Sequence, residues 1–236
     1  MQYPPSSSET GMDREDRAVL RSVDDLLPDL KYLLPRCDAE ITMRKALAEA
    51  AQAFCRKTGA LEYTAVIPVV DGRFEYDLPV SDVNADLLNV KRIEVWELPA
   101  GETVERRAYL LSQRAYDVLD PIDDDKVTLR LGDALYVGTS TLNMRVVMSL
   151  IPYYDQSVGA QAYSLPDKFL RRWRQAIVCG AAAALANMDG RPWVSKSLAS
   201  DMNFRYYELV NEATEKADYN RMVSGSASCV NPTGFV

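Results

Sequence analysis

The sequence predicts an α+β fold. Its main part is a helical bundle, built from a long antiparallel helix hairpin plus N-terminal helices. A β-rich insert interrupts the bundle, and extended tails lie at both ends. Three observations predict this. Apolar residues recur at helical spacing over 39–58 and again from 166 onward. Between those stretches the period falls from 3.6 to 2. The two ends are rich in Pro, Ser and charge. The expected organisation is a flexible N-terminal extension over 1–20, a helical bundle from 21–60 and 164–222, a β-rich insert over 61–152, and an extended C-terminal tail over 223–236.

Taken in order, Ser22-Val-Asp-Asp25 reads as a capping-box variant that opens a short helix before Pro28. A helix over about 39–58 follows, with Met43, Leu47, Ala50, Ala51 and Phe54 on one face and Gly59 as its stop. Tyr63, Ala65, Ile67 and Val69 then alternate with other residues, as do Phe74, Tyr76 and Leu78. Asp71-Gly72 between these runs predicts a hairpin, and Pro68 predicts an edge strand. A third strand is expected over Val90–Leu98, a short helix over Ser112–Leu119, and short strands at Lys126–Leu131 and Leu135–Val137. Leu142, Met144, Val146, Met148 and Leu150 share one face of a last strand that ends at Pro152. Pro166 fits a first helical position, with Asp167 complementing the helix N-terminus. Phe169, Trp173, Ile177, Gly180, Ala181, Ala184 and Leu185 form its stripe. The run Gly180–Ala184 permits close approach of another helix. After Asp189-Gly190 and Pro192, a final helix spans 195–222.

The composition narrows the chemistry. The chain has 236 residues, a net charge of −7, four cysteines and no histidine. A general nucleic-acid binder carries a basic excess, which is missing here. An acidic surface suits ordinary solubility, and equally a channel through which DNA slides without sticking. Without histidine there is no Ser-His-Asp or Cys-His machinery, and with no Cys-x-x-Cys pair a zinc site is not expected. No phosphate-cradling Gly-rich loop occurs. The carboxylates of Asp117, Asp120, Asp123, Asp124 and Asp125 lack the Gly and Glu of a calcium loop and read as a solvated turn. Asp77, Asp82 and Asp86 read the same way. No enzyme activity, metal or cofactor is expected. The N-terminus has no signal-peptide pattern and no apolar run is long enough to span a bilayer, so a soluble, cytoplasmically made protein without a membrane partner is expected.

Arg171, Arg172 and Arg174 flank Trp173. Three readings stay open for them: a solvated face, a subunit interface with an acidic neighbour, or a DNA contact. Trp193 fits either core or interface packing. Tyr206 and Tyr207 belong to a tyrosine-rich composition that suits protein–protein surfaces.

The order of motifs resembles the head-to-tail adaptor (connector) proteins of tailed bacteriophages. The resemblance rests on Leu26-Leu-Pro-Asp-Leu30, the Ala46-Leu-x-x-Ala50-x-x-x-Phe54-Cys55 helix, and Asp71-Gly72 leading to Tyr76-Asp-Leu-Pro79. It continues with Leu165-Pro166, the Ala-rich helix, Arg191-Pro-Trp193 and a closing helix. It covers roughly 22–222 and is strongest at 22–58 and 165–215. It implies a homo-oligomeric ring of about twelve copies in the virion neck, at the head–tail interface. The portal protein would lie above the ring and a tail, nozzle or tail-tube protein below. Double-stranded DNA would pass through the channel without sequence-specific binding. The ring would extend that channel and retain the genome. The tail residues Ser228, Cys229, Val230, Asn231, Pro232, Phe235 and Val236 would dock on the portal. Arg171, Arg172, Arg174, Trp193, Tyr206 and Tyr207 would serve the subunit interface. The free subunit would stay monomeric until the portal is present. The alternative is a tail-completion or tail-terminator virion protein. The long N-terminal extension and the size of the β insert depart from the family pattern.

Overall fold

The structure is a computed structural model that describes residues 20–80, 85–119, 127–133, 135, 141–152 and 164–225. The described chain runs β1 (Leu20–Ser22), α1 (Leu27–Leu33), α2 (Glu40–Thr58), β2 (Glu62–Pro68), β3 (Glu75–Leu78) and β4 (Ala85–Leu98). It continues with β5 (Arg106–Leu111), β6 (Tyr116–Leu119), β7 (Val127–Leu131), β8 (Thr141–Pro152) and β9 (Ser164–Pro166), and closes with α3 (Asp167–Ala186) and α4 (Lys196–Gly225).

The expected fold class needs correction. No long antiparallel helix-hairpin bundle forms the architecture. The fold is α+β and β-rich, with three antiparallel sheets in the orders β1-β9, β2-β8-β4-β5 and β3-β7-β6. The physical reason lies in where the helical stripes are buried. Leu47, Phe54, Trp173 and Ile177 belong to the same continuous core as Ile93, Val95, Met144 and Met148. The helices therefore share a core with the sheets. α3 packs on α4, and α2 packs on both and on β8.

β8 is the centre of this arrangement. Val146, Val147, Met148, Ser149 and Leu150 are all buried, so β8 is covered on both faces there. Ser149 Oγ donates to the Gly59 carbonyl at 3.1 Å. Gly59 ends α2 in the left-handed region at φ 58°, with its N–H bonded to the Cys55 carbonyl at 2.7 Å. A Cβ at Gly59 would lie 3.0 Å from Ser149 Oγ, so both the turn and the close approach require glycine.

Several local expectations change as well. Gly72 takes φ 72°, and Arg73 N–H bonds the Val70 carbonyl at 3.1 Å, but the turn does not make a hairpin. β2 pairs with β8, and β3 pairs with β7 in another sheet. The turn is a corner between sheets, held by the buried Tyr76, whose hydroxyl lies 3.2 Å from the Arg73 carbonyl. Pro68 does fall in an edge strand. The helix expected over Ser112–Leu119 is one short 3-10 turn, Gln113–Ala115, followed by β6. α1 runs through Pro28, because a proline in the first turn forfeits no helical hydrogen bond. Pro166 ends β9, and α3 begins at Asp167. The β1–β9 pair joins the start of the described chain to the start of α3, with Arg21 matched to Leu165. The strand expected at Leu135–Val137 lies largely outside the described residues.

Candidate functional site

Three helices each turn one stripe toward a common surface groove of about 590 Å³. α2 contributes Ala46, Ala50, Ala53 and Lys57, spaced i, i+4, i+7 and i+11. α3 contributes Gly180, Ala183, Ala184 and Asn187, and α4 contributes Lys196, Ala199, Asn203 and Tyr207. The floor is almost free of side-chain bulk, so a groove persists where larger residues would fill the space between helices. Gly180 is essential to this geometry. A Cβ there would stand 3.1 Å from the Tyr206 ring and 3.3 Å from the Ala50 Cβ.

Tyr206 forms one wall. It is only 6% exposed, its ring centroid lies 6.5 Å from Phe54 and 5.5 Å from Tyr207, and its buried hydroxyl has no hydrogen-bond partner among the described residues. Burial, with smaller contributions from Tyr207 and Cys55, pushes the Tyr206 hydroxyl pKa up to about 12. Lys57 Nζ sits 4.6 Å from the Tyr207 ring centroid and 5.2 Å from that of Tyr206, and 3.5 Å from the Tyr207 hydroxyl. Lys196 pairs with Asp189 and Asn187, each at 3.0 Å. The groove thus offers an apolar floor, aromatic edges and a polar rim. Glu49 and Ser200 also line it, with Glu49 paired to Lys45 at 3.7 Å. Such a surface suits the seating of protein side chains.

The residues expected at the subunit interface divide into two sets. Arg171 pairs with Asp167 at 2.7 Å, and Arg174 pairs with Asp29 and reaches the Asp25 carbonyl. Arg172 lies over the Trp173 ring at 5.2 Å. All three are therefore engaged within the chain. Trp193 is buried with Arg191 over its ring at 5.7 Å. Only Tyr206 and Tyr207 reach the groove. The tail residues Ser228 to Val236 lie outside the described residues, as do Asp82, Asp120, Asp123, Asp124 and Asp125. No group of three or more potential acidic or thiol metal ligands occurs among the described residues.

A second polar cluster lies on the β4–β8 surface. Glu94, buried despite its charge, accepts from Trp96 Nε1 at 3.2 Å and pairs with Arg92 at 3.0 Å. Arg145 lies 3.8 Å from the Trp96 ring centroid and pairs with Glu105 at 2.7 Å. These groups pair with one another within and across neighbouring strands, which makes the cluster a sheet-stabilising feature. The groove went unread in the sequence as a site, although its signal was present. Ala46, Ala50 and Ala53 sit at the same helical spacing as Gly180, Ala184 and Asn187.

No protein-family model matches the chain, and a comparison with curated proteins finds no match either.

Proposed function

We propose that this protein is a structural head-to-tail adaptor of a tailed phage. In this reading it forms a ring of about twelve copies beneath the portal. The ring extends the DNA channel, retains the packaged genome and offers a docking site to tail proteins. It acts in the virion neck, without catalysis, metal or cofactor, and the DNA passes without sequence-specific contacts. One observation carries the reading. The two segments that bear the family-like motifs, 22–58 and 165–215, are distant in sequence yet pack together. β1 pairs with β9, Arg174 pairs with Asp29, and the Phe54 and Trp173 rings pack at a tilt with centroids 5.3 Å apart. A shared module of this kind is what a motif order split by an insert calls for. The groove adds an unfilled surface on the same module, as a subunit that assembles through its sides needs.

Native mass spectrometry tests this with the chain alone and with the portal protein of the same phage. Conversion from monomer to a ring of about twelve on the portal is the expected outcome. A chain that ignores the portal would overturn the reading in favour of a tail-completion or tail-terminator role.

A further inference from the structure

We infer that the α2–α3–α4 groove receives the α1–α2 corner of a second copy of this chain, in a head-to-tail contact. The inference rests on the adaptor reading only for the closure of such contacts into a ring.

The corner is the complementary half. Tyr32 and Ile41 are 86% and 80% exposed, the two most exposed large apolar side chains among the described residues. Each is next in sequence to one member of the Lys31–Glu40 pair, whose 2.5 Å contact ties α1 to α2. The buried Leu30, Leu34 and Cys37 fix the corner beneath them, which lowers the entropic cost of docking. Its chemistry matches the groove. Aromatic and aliphatic bulk would fill a floor of Ala and Gly. Asp38 is exposed beside Ile41 and forms no ion pair among the described residues, while Lys57 on the groove rim likewise has no carboxylate partner among them.

The placement on α2 favours propagation. At about 100° per residue, Ile41 lies about 120° from Ala53 and about 180° from Ala50 around the helix axis. Corner and groove thus occupy different sides of one rigid helix and do not overlap. A contact between two different patches is heterologous, so each copy can bind one neighbour by its corner and another by its groove.

The test uses three full-length variants. Tyr32→Ser/Ile41→Asp removes the corner, and Ala184→Arg blocks the groove. Ala199→Arg is a second groove variant, and circular dichroism melts confirm that each chain folds. All are analysed by native mass spectrometry with the portal protein and, at high protein concentration, without it. Each variant alone should lose ring formation about tenfold or more. An equimolar mixture should give one-to-one pairs and no rings, because each mixed pair retains only one good contact. Rings formed by either folded variant alone would overturn the contact while leaving the adaptor reading intact. Wild-type pairs and open chains that ignore the portal, and that both variants abolish, would uphold the contact and overturn the adaptor reading. A wild-type chain that stays monomeric in both settings would overturn both.

Discussion

The two halves of α3 meet the rest of the chain in opposite ways. In the first half, Phe169, Leu170 and Trp173 are buried, and Arg171 and Arg174 end on Asp167 and Asp29. In the second half, Gly180, Ala183 and Ala184 leave open space, and the neighbouring Lys57 ammonium meets the Tyr206 and Tyr207 rings but no carboxylate among the described residues. One helix therefore closes the subunit at one end and leaves a receptive surface at the other. The difference teaches what keeps a surface open: charge and aromatic content mark the closed half, whereas the scarcity of side-chain bulk marks the open one.

Breaking the closed half should have the largest effect. Phe54 packs at a tilt on Trp173 at 5.3 Å and meets Phe169 at 6.2 Å, so Trp173→Ala would leave a cavity between α2 and α3. The expected loss is about 3–5 kcal/mol, read by urea unfolding monitored through circular dichroism. A loss under 1 kcal/mol would mean that the aromatic cluster does not hold α2 to α3. In the open half, Gly180→Val should cost about 1–3 kcal/mol through overpacking against Tyr206 and Ala50. A neutral outcome in the same assay would show that the groove wall yields readily.

An alkaline titration sharpens the comparison at the boundary between the halves. Burial raises the Cys55 thiol pKa to about 12, and the Tyr206 hydroxyl also rises to about 12. The ordinary values are 9.0 and 10.0, so above those the unfolded chain sheds protons that the folded chain retains. Their contribution to stability is complete below about pH 9 and falls as pH rises toward 12. The slope approaches about 1.4 kcal/mol per pH unit for each group. Unfolding midpoints at pH 8, 9.5 and 10.5 should drop in that order. Cys55→Ala and Tyr206→Phe should each flatten the drop, and a flat wild-type profile would mean that neither group is shielded.

Much of this arrangement was legible in the sequence, and the misses have physical causes. The stripe of α2, its stop at Gly59 and the alternating face of β8 are local patterns, and local patterns survive folding. The fold class departs from the expectation because β8 is covered on both faces, where even the polar Ser149 is buried; in the sequence only Val147 and Ile151 break the apolar–polar alternation, and that break signals the cover. Read so, it would have placed the helices on the sheet. Asp71-Gly72 was read as a hairpin because turn chemistry reports a reversal of direction, not which strand becomes the partner. The register of β2 with β8 is set by long-range burial of Ala65 against the core. The Arg174–Asp29 pair has no local signal, because its partners lie 145 residues apart, so the sequence leaves a solvated face, a subunit interface and a DNA contact open for the Arg171, Arg172 and Arg174 cluster.

The smallest expected effect is the most direct check on the contrast. Arg174 and Asp29 are 47% and 40% exposed, so solvent and salt screen their pair. Arg174→Ala should therefore cost less than about 1 kcal/mol, a loss that shrinks further at high salt. The side-chain hydrogen bond to Asp29 holds the Arg174 guanidinium above its ordinary pKa, so the arginine stays charged. If the closed half is spoken for within the chain, this variant should assemble on the portal as the wild type does, while Ala184→Arg on the same helix does not. Equal loss of assembly by both, measured at matched protein concentration, would return Arg174 to the subunit interface and erase the distinction between the two halves of α3.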